Sequence, residues 1–210
     1  MSGLTAKEEA ALDYADAFER HFRDRHPHRR PLYLAPLNEA GVCSTLRPTR
    51  LGHPELFGLE GICRFVADFV TFEPLADPVQ PPAHLASPAS VLAWQRGDAF
   101  DLATVLVSLL LGAGFDAYVV MGYAPLAVTL NDQREVGEAV MVEPATGRQH
   151  TLAAAPYDGV EALWNAHNFW ACLQMPQPHS DARARPGDLA FDLYDSAAWE
   201  ALWEEAVRRR

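Results

Sequence analysis

At 210 residues the chain fits one domain with a substantial core, and 49% hydrophobic with 21% charged residues is ordinary for a soluble globular protein. A formal net charge of −11 excludes a general nucleic-acid binder, which needs a basic field. Three cysteines, an odd number with no C-x-x-C spacing, exclude a disulfide framework and a zinc site and fit a reducing compartment.

The start, Met-Ser-Gly-Leu-Thr-Ala-Lys-Glu-Glu, has no apolar run behind a basic segment, so no secretory signal is expected, and no stretch reads as a membrane span. Thr5-Ala-Lys-Glu8 has the form of a capping box. Ala11, Leu12, Ala15, Phe18 and Phe22 then share one face, which predicts an amphipathic helix to about Arg25. Pro27 stops it. Arg29, Arg30 and the nearby histidines form either a solvated helix end or a patch for an acidic partner, the former being plainer. Residues 31–37 read as extended, 38–41 as a turn and 44–49 as extended again. A second helix is predicted over Glu55–Thr71, from Leu56, Leu59, Ile62, Cys63, Val66 and Phe69. The stretch 73–90, with Pro74, Pro78, Pro81, Pro82 and Pro88, reads as a stiff surface wrap pinned by Leu75, Val79 and Leu85, with a Pro-rich ligand motif as the functional alternative.

The chain is organised around Trp94–Tyr123. Asp98 is placed as an N-cap, and the residues from Phe100 to Leu111 are apolar around nearly the whole circumference, which marks a buried helix. Gly112 and Gly114 are expected to stop it, and the Tyr- and Val-rich run to Tyr123 reads as a buried strand. The N-terminus of such a helix lowers the pKa of a cysteine placed there. Position 99 holds Ala. Further on, 138–144 reads as a strand turned by 145–147, 160–166 as one or two helical turns, and 168–174 as a strand. Residues 176–188 read as a flexible polar loop, and 196–207 as a closing helix with Trp199, Leu202, Trp203 and Val207. No internal repeat is visible.

Cysteine chemistry needs a thiolate, a histidine to move its proton and a group to orient that histidine. Cys43 and Cys63 read as small hydrophobes. Cys172 with His167 is the one close pair, but residues five apart on a continuous strand face opposite ways. The motifs G-x-S-x-G, G-x-G-x-x-G, H-E-x-x-H and the P-loop are absent. Asp98 and Asp101 look like a catalytic carboxylate pair, yet a cap and a first-turn acid account for both.

Gly97-Asp98-Ala99-Phe100-Asp101 with Ser108–Tyr123 resembles the transglutaminase-like domain of the dynein regulatory complex subunit 7 family, coiled-coil proteins of motile cilia and flagella. Arg30-Pro-Leu-Tyr-Leu, Ser44–Thr49, Phe65–Phe69, Ser87-Pro88, Leu163-Trp-Asn165, Asn168-Phe-Trp170, Phe191-Asp-Leu193 and Trp199-Glu200 extend the resemblance over nearly the whole chain. It implies an α+β fold with a transglutaminase-like (papain-like) core, a buried helix packed on a small, mainly antiparallel sheet, in a single domain over 1–210 with its N-terminal helix within 1–30. By the same comparison Ala99 stands where the family has its nucleophilic Cys. Glu143, in Val142-Glu143-Pro144, stands for the third triad member, and the strand that carries His between Tyr123 and Arg134 is expected to be missing. Relatives continue into further domains, so a chain ending at Arg210 reads as a short paralogue, a truncated product or an incomplete gene model.

The resemblance therefore implies a non-catalytic interaction module of the nexin–dynein regulatory complex in the ciliary axoneme, with other complex subunits or axonemal proteins as partners. No nucleic acid, membrane, cofactor or metal is expected. Trp164, Phe169, Trp170, Trp199 and Trp203 are the candidate interface anchors, core packing being the plainer role for them. A residual cysteine hydrolase or transglutaminase-like enzyme using Cys172 or Cys63, or a peptide-binding module in the vacated cleft, are the alternatives.

Overall fold

The structure, a computed structural model, describes residues 5–43, 46–50, 52–53, 58–78, 80–122, 127–131, 139–151, 159–173 and 196–203. The helices among them are α1 (Ala6–Arg25), α2 (Leu59–Phe69), α3 (Pro88–Trp94) and α4 (Ala99–Ala113). Two-residue strands β1 (Thr71–Phe72) and β2 (Arg96–Gly97) pair in parallel. The main sheet contains β3 (Asp116–Gly122), β4 (Ala127–Asn131), β5 (Val140–Glu143), β6 (Arg148–Thr151), β7 (Val160–Trp164), β8 (Phe169–Cys172) and β9 (Trp199–Ala201). Its order is β6-β5-β4-β3-β7-β8-β9, and every neighbouring pair is antiparallel. The fold is α+β.

α4 is the core. Asp98 and Asp101 close a reciprocal capping box: the Asp98 carboxylate accepts from Phe100 N–H (2.8 Å) and Asp101 N–H (3.0 Å), and the Asp101 carboxylate accepts from Asp98 N–H (3.3 Å). Leu102, Val105, Leu106, Val107, Leu109 and Leu110 are at most 2% exposed, so burial all round is what holds the helix. The sheet meets it with Ala117, Val119, Met121, Ala162 and Ala171. Pairing of Ala162 with Ala171 puts small side chains side by side on this face, which lets helix and sheet approach closely there.

Gly114 ends α4 in the left-handed region (φ 92°). Gly112 does not stop the helix as the sequence suggests; it lies inside it. A Cβ there would sit 1.9 Å from the Thr49 carbonyl oxygen, so the absent side chain admits a neighbouring segment. That segment is stitched down at Ser108. Thr49 N–H donates to Ser108 O (2.8 Å) and the Ser108 hydroxyl donates to Arg47 O (2.5 Å), leaving the Thr49 hydroxyl to donate to Ser108 Oγ (2.7 Å).

α1 forms through its predicted capping box and buries only Ala15 and Phe22. α2 begins at Leu59, and the predicted start of this helix, residues 55–57, lies outside the described residues. The Pro-rich stretch needs a correction at its end, because Pro88–Ser90 open α3. Ser87 caps that helix by accepting from Ser90 N–H, and Pro is tolerated at the first helical position because its missing N–H has no helical partner there.

Other expectations are also corrected. Residues 160–164 are strand β7, not helical turns: Val160–Leu163 are buried on both faces, so the segment shows no alternation to mark it as a strand. Residues 196–203 form a short 3-10 turn and β9 instead of the start of a helix. Trp199–Ala201 pair with Cys172–Trp170, and this pairing overrides the helical propensity of Ala, Glu and Leu. β6, which the sequence did not mark, completes a hairpin with β5 through the turn at Gly147. The strand between Tyr123 and Arg134 is not missing: β4 is present and pairs with both β3 and β5, so the sheet is continuous there. The predicted loop at 176–188 lies outside the described residues.

Candidate functional site

Ala99 occupies the first turn of α4, half-buried, between two carboxylates whose capping bonds fix their positions. Asp101 carries a second load, accepting from Ala86 N–H at 3.0 Å. The next amide, Ser87 N–H, donates to Glu39 at 2.9 Å, and the preceding one, Leu85 N–H, donates to Leu37 O. Three consecutive amides entering α3 are thus held by three separate acceptors. Glu39 also accepts from the hydroxyls of Ser87 (2.7 Å) and Ser90 (2.5 Å). The Ser90 hydroxyl, then the Ser87 amide, lower the Glu39 carboxyl to about 2. Burial, and after it the charge of Asp98, raise Asp101 to about 6. Burial raises Asp98 as well. The two aspartates are capping and bracing groups, and the sequence signal that finds them is the reciprocal D-x-x-D spacing before an apolar run.

Position 99, at this cap, holds no thiol. Alanine has no nucleophile. β3, β4 and β5 contain no histidine in sequence, and the nearest in chain order, His150, is on β6. Glu143 is at the end of β5, where its carboxylate accepts from the Thr146 hydroxyl (2.6 Å) within the β5–β6 turn. Two other thiols, Cys63 and Cys172, are buried. Cys63 is buried on α2, and burial pushes its thiol up to about 12, away from the thiolate needed for attack. Cys172 is fully buried on β8, whereas His167 is exposed in the turn between β7 and β8. Among the described residues no cluster of His, Cys, Asp and Glu is arranged to hold a metal ion.

The five aromatic candidates divide between the faces of the sheet. Trp164 and Phe169 are register partners whose rings run nearly parallel, centroids 6.2 Å apart; Phe169 is buried and Trp164 half-buried. Trp170 and Trp199 lie on the opposite face, since Trp170 follows Phe169 along the strand and Trp199 pairs with Cys172. Trp170 meets Tyr118 edge-on at 5.6 Å. Trp203 is 39% exposed and stacks on Tyr14 of α1 at 4.7 Å.

Trp164, Phe169 and Trp203 converge, with Tyr33, His167 and Thr104, on a cavity of about 240 Å³. Ala99 does not line it; Thr104, more than a helical turn further along α4, does. Tyr33 is held by a bond from its hydroxyl to Pro82 O (2.9 Å) and by edge-on contact with Phe100. The sequence gives no sign of Tyr33 and His167 as cavity residues, because 134 positions separate them and neither belongs to a motif.

The structure thus presents a helix with a capped N-terminus, Ala99 at its first position, buried against an antiparallel sheet. Residues 84–202, more than half of the chain, match the family model described as the CEP76 peptidase-like domain. The chain belongs to that family. Dynein regulatory complex subunit 7 of Chlamydomonas reinhardtii is 41% identical over 216 residues, covering 98% of this chain and 18% of that protein. The Homo sapiens protein of the same name is 30% identical over 293 residues, covering 94% of this chain and 33% of that protein. The coiled-coil domain-containing protein lobo of Drosophila melanogaster is 42% identical over 138 residues, covering 63% and 15%. The chain thus spans a third or less of the length of these curated relatives. Among solved structures, calcium-bound LapG of Legionella pneumophila aligns with a TM-score of 0.48 and 16% identity, covering 65% of this chain and 78% of that one.

Proposed function

We propose that this chain is a non-catalytic, transglutaminase-like interaction module of a dynein regulatory complex, working by protein–protein contact in the ciliary or flagellar axoneme and so regulating motility. The observation that carries the reading is the 41% identity to dynein regulatory complex subunit 7 over 98% of the chain. Ala99 at the capped end of α4 supports the absence of catalysis, because a covalent intermediate needs an attacking atom at that position. The partners on this reading are other subunits of the complex or neighbouring axonemal proteins, not nucleic acid or membrane. The acidic net charge supports the first exclusion. Among the described residues no helix is long and apolar enough to cross a membrane.

Trp203, exposed and stacked on Tyr14, is the strongest of the candidate anchors, with Trp164 beside it at the cavity. Trp170, Trp199 and Phe169 are weaker ones, being half-buried or buried within the sheet. Co-sedimentation of the purified chain with an isolated regulatory complex tests the reading. Pelleting with the complex, reduced by Trp203→Ala, is expected; failure to associate with any of its subunits contradicts it.

A further inference from the structure

The cavity beside α4 has a composition that selects its occupant. Four aromatic side chains line it, Tyr33, Trp164, Phe169 and Trp203, and its lining contains no Lys or Arg. Tyr14 takes one face of the Trp203 indole, which leaves the rest of that ring to the cavity mouth and solvent. No Asp or Glu lines the cavity either, but among the described residues the charges that act on its Tyr33 are negative. Asp98 and Asp101 flank Phe100, whose ring packs on Tyr33, and after burial their charges are the next causes that keep the Tyr33 phenol protonated. The chain as a whole carries a formal charge of −11. Aromatic faces bear negative quadrupole charge and attract cations, most strongly from indole. An anion gains no attraction from the ring faces, and a neutral apolar group would gain only from burial.

We propose that this cavity receives the cationic side chain of a partner protein, a lysine or arginine whose charge rests against the rings of Tyr33, Trp164 and Trp203. The volume suits one such side chain, with the aliphatic stem against the apolar wall of Leu34 and Leu202 and the charged head at the rings. His167, exposed at the lip, is the position from which the local charge can be changed without disturbing the core. That the cation comes from a protein rests on the interaction-module reading; the cavity's preference for a cation does not.

The test is binding of acetylated, amidated tripeptides Gly-Arg-Gly, Gly-Lys-Gly and Gly-citrulline-Gly to the full chain, followed by indole fluorescence and by the Trp indole N–H signals in NMR. Citrulline has nearly the shape of arginine without its charge. The arginine and lysine peptides should bind saturably, and the citrulline peptide about tenfold more weakly or worse. Trp164→Ala should weaken the arginine peptide by roughly threefold to thirtyfold. His167→Lys, a positive charge introduced at the lip, should weaken it as well. Equal binding of arginine and citrulline peptides, no saturable binding of any, or indifference to His167→Lys would each overturn the proposal. Cation-selective binding by a chain that fails to associate with the regulatory complex would uphold the cavity's selectivity and remove the reading of its partner.

Discussion

Asn168 holds the backbone of Trp203 with both ends of its side-chain amide. Its Nδ2 donates to Trp203 O at 2.9 Å, and its Oδ1 accepts from Trp203 N–H at 3.0 Å. The same Oδ1 accepts from Phe169 N–H, and Asn168 is only 6% exposed. A buried amide thus continues the β8–β9 pairing past the end of β9 and fixes where the Trp203 indole stands. Asn168→Asp removes the donor that faces Trp203 O and buries a charge. We expect a loss of about 1–3 kcal/mol by urea denaturation, with weakened Tyr14–Trp203 stacking visible in near-UV circular dichroism.

Gly112→Ala should destabilise although alanine is the better helix former. The propensity gain is about 1 kcal/mol, whereas a methyl 1.9 Å from the Thr49 carbonyl must displace the 46–50 segment. Overpacking of this kind costs about 1–3 kcal/mol before the Thr49–Ser108 bonds are counted. Denaturant titration of the single variant decides the sign.

Asp101 imposes a pH dependence of known direction. Its folded-state pKa, raised to about 6, exceeds the unfolded value of about 3.9, so the folded state prefers the protonated carboxyl. This group's contribution is therefore most favourable below pH about 4 and is lost as pH rises through about 6. Asp101→Asn keeps an acceptor for Ala86 N–H but does not titrate. The stability of this variant relative to the native chain should rise between pH 4 and 6.5, apart from a constant offset. Glu39, held at about 2, works in the other direction: its stabilisation is present above the ordinary carboxylate range and is lost as pH falls towards 2. Thermal unfolding over pH 4 to 7 checks the difference; a flat difference refutes the account of the cap.

The proposed non-catalytic reading predicts that a cysteine introduced at position 99 creates no activity. Ala99→Cys places a thiol at a helix N-terminus, which favours the thiolate, but between two carboxylates, which oppose it. No histidine is present on β3, β4 or β5 to take its proton. The variant should alkylate with iodoacetamide yet turn over no amide or peptide substrate. Measurable hydrolysis would contradict the reading of the site.

The sequence disclosed what rests on local signals. The Thr5–Glu8 and Asp98–Asp101 boxes, the all-apolar circumference of α4 and the left-handed Gly114 are each written within a few residues, and each is present. What stayed hidden depends on distant partners. The strand at 160–164 looks helical because Glu161 interrupts its apolar run, yet Arg30 neutralises Glu161 through two bonds of 2.8 Å from across the fold. The Ala-, Glu- and Leu-rich 199–203 segment becomes an edge strand only because β8 and Asn168 are there to bind it. The resemblance pointed to a lost strand because its histidine was gone, but backbone pairing with β3 and β5 does not require that side chain. The cavity, assembled from segments near 33, 104, 164 and 203, had no local signature at all.

The most direct test is the fate of the tagged chain in a flagellated cell whose axonemes are isolated and washed in salt. Retention in the washed axoneme together with regulatory-complex subunits is the predicted result. A wholly soluble pool outside the flagellum would contradict the assignment to the complex.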